Sequence, residues 1–318
     1  MALVDWDGEP PPTPCQGQLE CHRTGMALFN QQFDPKIDLA NNIRDGELRA
    51  LIFGVRPSVK KIITAGISLL LMFIGGQSAA DELSAEAIAQ HYFQLNRGWE
   101  KLSANIHMEI TRGNRSAERD LSIEMLEKES SGERDLVRVL RPLDLKGTSV
   151  LTYTHDRDAD EQWIYLPAIK RIKRLTLQSK GGAFLSSQFN FEDLSPFQLQ
   201  KYRYRRLADE TVEGQPCYVL ESTPVEASSV YGRLINWIDQ ADYRLLKTQF
   251  FDTDGTLIKE LFIEKHEKYR DKYWKPVQLK MVEQATGDST LSRWSELSYD
   301  PQLDESVFEV GSLKRVGF

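Results

Sequence analysis

The sequence predicts a mainly β protein built on one large, curved antiparallel sheet, preceded by an amphipathic helix. Two observations predict the sheet. From about Ala104 onward apolar residues recur at every second position in run after run, and the runs are joined by short Gly-, Asn- and Asp-bearing turns. A third, one segment of period 3.6 just ahead of them, predicts the helix.

That helix spans Ser84–Asn96, with Ser84 as N-cap, Glu86 in the first turn, Ile88, Tyr92 and Leu95 on one stripe, and an end near Gly98. Strand-like runs then follow at Ala104–Thr111, Leu121–Lys128, Asp135–Arg141, Ser149–Thr154, Gln162–Leu166, Arg171–Leu177 and Lys201–Leu207. They continue at Cys217–Ser222, Arg233–Ile238, Leu245–Phe251, Leu257–Lys265, Val277–Glu283 and Thr290–Ser298. Turns such as Arg112-Gly113-Asn114, Glu213-Gly214 and Thr286-Gly287-Asp288 are too short for parallel crossovers, so neighbours in sequence pair antiparallel. Polar residues at alternate positions, as in Ile106-His107-Met108-Glu109-Ile110 and Leu257–Phe262, predict one buried and one solvated face. A sheet of this length does not stay flat and is expected to curl into a barrel or half-barrel. The period does not say which face is concave.

One stretch interrupts the alternation. Gly181-Gly182 is followed by Phe184, Phe189 and Phe191 and then Glu192-Asp193. Two readings stand open: a mobile flap hinged on the glycines that offers its rings to an apolar ligand, or a loop whose rings plug the barrel.

Upstream, Arg56, Lys60 and Lys61 precede the apolar run at 62–75, which ends in Ser78-Ala79-Ala80. A charged segment, a short apolar segment and small residues at its end read as a secretory signal peptide at 56–80, cut after Ala80. The run is short for a membrane span, which takes roughly 20 apolar residues. The alternative is an uncleaved anchor. Residues 1–55 are then an upstream extension, either disordered or the product of a start assigned too far upstream, with translation beginning near Leu51 or Val55. The remainder, 81–318, is one domain. Its only cysteine is Cys217, so it has no internal disulfide and stands on its core.

The net charge of −7 argues against a nucleic-acid surface, which relies on clustered basic excess. His91, His107, His155 and His266 lack ligand spacing, so no metal site is expected, and no cofactor either, because no phosphate loop or dinucleotide fingerprint is present. Nor is there a nucleophile elbow. Cys217 reads as a small buried hydrophobe, and adjacent acids such as Asp209-Glu210 point apart on a strand, so no catalytic residue is assigned and no enzymatic activity is expected. The run Lys170–Arg174 is either a solvated strand face or a contact for an anionic headgroup, membrane surface or acidic partner.

Lys146-Gly147-Thr148-Ser149, Gln162–Arg174 and Phe189-Asn190-Phe191-Glu192-Asp193-Leu194 together resemble the outer-membrane lipoprotein-sorting family, the LolA-like proteins. The resemblance is to the branch associated with lipid exporters of the resistance-nodulation-division type. Tyr273–Val277 and Leu303–Phe308 fit the same pattern. The resemblance implies an incomplete β-barrel with lid segments, and a periplasmic carrier that shelters the acyl chains of a lipid or lipoprotein and works with an inner-membrane exporter. Contact with the membrane surface is transient in such a carrier. The alternative is a non-transporting accessory or structural subunit of an envelope complex, and an enzyme acting on envelope lipids comes third. On the carrier reading, Trp163, Tyr165, Phe184, Phe189, Phe191 and Trp237 are candidates for cavity lining or lid. Lys170, Arg171 and Arg174 are candidates for headgroup, partner or lid contact, through ion pairs with Glu192 and Asp193.

Overall fold

The computed structural model describes residues 83–315 save 129–131, 228 and 300. The signal peptide at 56–80, its cut after Ala80 and the extension at 1–55 lie outside the described residues.

The chain opens with α1 (Ala85–Leu95), whose N-cap Ser84 accepts a hydrogen bond from the Ala87 N–H. The buried set is Ala85, Ile88 and Ala89, with Tyr92 half-buried, whereas Leu95 is 41% exposed and lies off the stripe expected of it. The two alanines let the helix approach closely, and it packs on Leu220 and Ile238 at one end of the sheet.

Strands β1 (Lys101–Arg112), β2 (Arg115–Lys128), β3 (Gly132–Arg141), β4 (Ser149–Tyr153), β5 (Glu161–Leu166) and β6 (Arg171–Arg174) run as a meander to one edge. After an irregular crossing, β7 (Tyr202–Arg206) forms the opposite edge. Then β8 (Glu210–Val212), β9 (Gln215–Pro224), β10 (Arg233–Asp239), β11 (Leu245–Phe251), β12 (Leu257–Tyr269), β13 (Tyr273–Glu283) and β14 (Ser289–Tyr299) return to the middle. There β14 pairs with β1 and joins the two halves into one open, 14-stranded sheet in which every pairing is antiparallel. Each expected run is a strand. Only β8 was not expected, because three residues are too few for alternation to register.

Register shifts at Ser103/Asn105, Asp120/Leu121, Trp237/Ile238 and Ile263/Lys265 add local twist and help the long sheet to curve. Ala104, Ile106 and Met108 of β1, Ile123 and Met125 of β2, and Val137 and Val139 of β3 lie on the concave face in a single core. Gly132 opens β3 where a side chain has no room, since a Cβ there would sit 1.9 Å from the Thr154 carbonyl oxygen.

Strands β3–β5 bury both faces. The residues that alternate with the concave set, Leu136, Leu151 and Tyr165, form a second core under the C-terminal segment, whose Phe308 and Leu313 are almost fully buried. The Tyr153 hydroxyl donates to the Phe308 carbonyl over 2.5 Å. This explains why β3 is buried at nearly every position where burial along β1 alternates cleanly.

Truncating the ring that closes this second core, Phe308→Ala, is expected to lower stability by about 3–5 kcal/mol in urea titration, because the site has no solvent to refill it.

Candidate functional site

The crossing from β6 to β7, residues 175–201, passes over the concave face and roofs it. Under the roof lies a hollow of about 340 Å³. Its floor is Ile106 and Met108 from β1, Leu121, Ile123 and Met125 from β2, and Val137 from β3. Tyr273, Leu279 and Trp294 form one wall, and Tyr92, Phe93, Asn96 and Arg97 from the end of α1 close a side. Phe184, Phe189 and the segment Leu194–Phe197 lie above. A second hollow of about 250 Å³ extends under Tyr202, Tyr204 and Tyr231 over Leu220, Ile238, Phe250 and Met281. Phe189, Asp193, Ser195 and Phe197 of the roof belong to the walls of both, so lifting the roof would join them. Ligand pockets commonly hold ~300–1,000 Å³, and each methylene moved into such a place from water gains roughly 0.8 kcal/mol.

The roof is fastened by polar contacts. Asp193 is the hub: its Oδ2 lies 2.5 Å from the Lys259 ammonium and accepts from the Asn190 N–H, while its Oδ1 accepts from the Tyr231 hydroxyl over 2.7 Å. Lys259 also donates to the Gln188 carbonyl. It is 5% exposed and lies in phase with Leu261 on the concave face, not on the solvated one that alternation suggests. Glu192 accepts from the Ser229 hydroxyl and the Val230 N–H, and burial raises its carboxyl despite those bonds. Gln188 binds Thr290 of β14, and the Phe191 carbonyl accepts from Gln162 of β5. Burial and the adjacent Asp193 carboxylate push the Tyr231 hydroxyl far up, so it remains a donor.

A second polar group lies at the other end of the larger hollow. Glu133 and Asp135, 8% and 4% exposed, sit two apart on β3 in phase with Val137 and line the cavity. Arg97 pairs with Glu127 at 2.8 Å and reaches Glu133 at 3.5 Å, while Lys275 of β13 lines the hollow with them. Burial pushes the Glu133 carboxyl up to about 7 against the pull of Arg97 and Lys275, with Glu127 adding to the rise. Asp135 is held well above the ordinary range by burial and then by Glu133. Burial lowers Lys275, opposed by the two acids, and the Tyr92 hydroxyl is pushed up to about 12.

The fold is shared with solved structures. A domain described as an outer membrane lipoprotein-sorting protein, from Vibrio parahaemolyticus, is 38% identical over 73% of this chain and 98% of its own, with a TM-score of 0.71. The chain belongs to the outer-membrane lipoprotein-sorting family. A DUF1329 family protein from Desulfovibrio piger is 28% identical over 72% of this chain and 97% of its own, with a TM-score of 0.69. A LolA superfamily protein from Nitrosomonas europaea, 20% identical over 71% of this chain and 98% of its own, shares the fold at a TM-score of 0.58. The model of a family described as an uncharacterized protein matches residues 131–315. No curated protein sequence matches.

Within this LolA-like sheet the expected site residues separate. Phe184 and Phe189 line the larger hollow, Phe189 also lines the second, and Phe191 packs edge-on against Phe184 in the core beside it. Phe184 is 2% exposed and acts as a plug. The glycines serve close packing: a Cβ on Gly181 would meet Val230 at 2.7 Å, and Gly182 pairs with Phe191 through the backbone. Trp163 and Tyr165 line neither hollow, because their parity turns them to the convex core under the C-terminal segment. Trp237 likewise lies on the convex side with Cys217, Val219 and Leu246, its indole N–H donating to Glu210.

Nor do the basic residues pair with the roof acids. Arg174 is bound to Glu161 and lies over the Trp163 ring, whereas Lys170 and Arg171 are exposed at the edge strand, where charge discourages edge-to-edge pairing. Glu192 and Asp193 face inward to Ser229, Tyr231 and Lys259. Alternation passed over Lys259, Glu133, Asp135 and Lys275. The available signal was parity: charges in phase with the buried set rather than against it.

Removing one partner of the buried pair, Lys259→Ala, is expected to cost about 3–5 kcal/mol and to speed amide exchange across residues 184–195, while Lys259→Met with Asp193→Leu recovers only part of the loss, because the Tyr231 hydroxyl and the Asn190 N–H then lack their acceptor. The two acids of β3 bind protons more readily folded than unfolded, so their contribution to stability is present below the ordinary carboxylate range and is lost as pH rises, for Glu133 through about 7. Asp135→Asn should therefore melt near the parent at pH 4 and above it at pH 8.

Proposed function

We propose that the chain is a periplasmic carrier, exported by the cleaved signal peptide at 56–80, that holds the acyl chain of a lipid or lipoprotein in the roofed hollow and moves it between membranes. The observation that carries this reading is the apolar hollow of about 340 Å³ under a strap joined to the sheet by side-chain bonds. A filled core needs no such space, and protein interiors ordinarily close voids of this size. The Vibrio relative's description as a lipoprotein-sorting protein supports the same class of cargo.

Binding of this kind is non-covalent, and its affinity comes from hydrocarbon leaving water. It needs a way in, which opening of the strap between Gly182 and Phe197 provides once Asp193 parts from Lys259. Handover from an inner-membrane exporter of the resistance-nodulation-division type rests on the resemblance of the blocks at 162–174 and 189–194 to proteins of that association. A carrier role assigns no bond-making to any side chain, in keeping with the absence of a nucleophile motif in the sequence.

Native mass spectrometry of protein recovered from the periplasm tests this. Stoichiometric lipid on the parent, lost in Phe189→Asp while the melting temperature shifts only a few degrees, is the expected result. An empty hollow with a stably co-purifying protein would favour the accessory-subunit role instead.

A further inference from the structure

The carrier reading leaves open which end of the guest the protein recognises, and the acids of β3 bear on that choice. Asp135 projects into the larger hollow from the middle of a sheet, is 4% exposed, and its Oδ1 accepts no hydrogen bond. A buried carboxylate oxygen without a donor costs several kcal/mol unless the group takes up a proton or something outside the fold supplies a donor, and burial already holds this carboxyl toward its protonated form. Its cross-strand neighbours do not: Met125 is apolar, and the Thr152 hydroxyl, which accepts from the Gln162 amide, makes no bond to Asp135 Oδ1. One strand further, Gln162 Oε1 is also buried and unbonded.

The surrounding charges point the same way. Glu127 and Glu133 face each other directly across β2 and β3, an arrangement of like charges that destabilises a sheet unless it is bridged. Arg97 bridges it, and its Nε and Nη1 are turned to those two acids rather than to Asp135. Lys275 faces the hollow from β13 and makes no hydrogen bond, lying 5.4 Å from the Trp294 ring. Asp160, further off, is paired with Lys201. Glu133 and Asp135 thus face the hollow with Arg97 turned to Glu127 and Glu133, and Asp135 is left without a partner of its own; burial holds both acids toward their protonated forms, and a cation brought in by a guest is what would let them ionise.

We propose, resting on the carrier reading, that Asp135 and Glu133 are the headgroup site of the hollow and select an amphiphile whose polar end carries a protonated amine. The hydrocarbon tail lies along Ile106, Met108 and Ile123, and the ammonium donates to Asp135 Oδ1. A guest with an anionic end is disfavoured, because it meets two acids where an ammonium finds two acceptors. The ammonium belongs either to a simple single-chain amine or to the ethanolamine head of a phospholipid, and only the latter also brings a phosphate that Lys275 can meet.

Competition binding to the full mature protein, read by native mass spectrometry below the micelle concentration of each probe, tests the site with dodecylamine, dodecanol and dodecanoic acid. The expected result is dodecylamine bound at least about tenfold tighter than dodecanoic acid. In Asp135→Asn that ratio falls toward one while dodecanol binding stays within about threefold. Vesicles of phosphatidylethanolamine and phosphatidylglycerol separate the two sources: extraction of the former by the parent, weakened by Lys275→Met, identifies the phospholipid, whereas dodecylamine binding without extraction identifies the single-chain amine. Equal binding of acid and amine, unchanged in Asp135→Asn, would show that water alone satisfies the carboxylate and would overturn the headgroup site while leaving the carrier intact. Failure of all three probes to bind would overturn both.

Discussion

The structure depends on a mismatch between an apolar concave face and a cover that does not fill it. A long antiparallel sheet with its apolar residues in phase curls so that they converge, and converging side chains leave either a packed core or a space. Toward β1–β3 the space is partly taken by Phe184, and elsewhere it is left open. What keeps the opening shut is a strap whose attachments are polar and specific: Asp193 to Lys259 and Tyr231, Glu192 to Ser229 and Val230, Gln188 to Thr290. Polar attachments of this kind can be exchanged one for another, whereas interlocked hydrocarbon surfaces cannot move without opening a void.

The two faces of the sheet divide the work. The convex face under β3–β5 is sealed by the C-terminal segment through Phe308 and Leu313, and the convex face under β9–β11 is covered by β8 and Leu207. These buried cores hold the curvature. The concave face is thereby freed from bearing the whole of the stability, so it can keep charges such as Asp135 and Lys259 that a simple core would reject. Edge strands β6 and β7, rich in Arg and Lys, leave the sheet open without inviting another strand.

Much of the fold was legible in the residues. Period-2 runs and two-residue turns located every strand but β8, and Ser84 with Ile88 located the helix. Less of the site was. Trp163, Tyr165 and Trp237 looked like cavity residues because aromatics in strands bury themselves, but burial on which face is set by parity relative to a curvature that appears only in three dimensions. Conversely Lys259 looked like a solvated position because charge usually marks the wet face, and here the strap makes the dry face tolerate it.

The sequence by itself determined the class of architecture, since hydrophobic period and turn chemistry are local properties carried by neighbouring residues. It also determined that the apolar face would need a cover, and it marked Gly181–Asp193 as the break in the pattern where a cover lies. Only the tertiary structure decided which face is concave, which aromatic rings meet the hollow, and which charges pair across it. Those outcomes join residues far apart in the chain, such as Asp193 with Lys259 or Glu133 with Lys275, and their distances are set by the bend of the whole sheet.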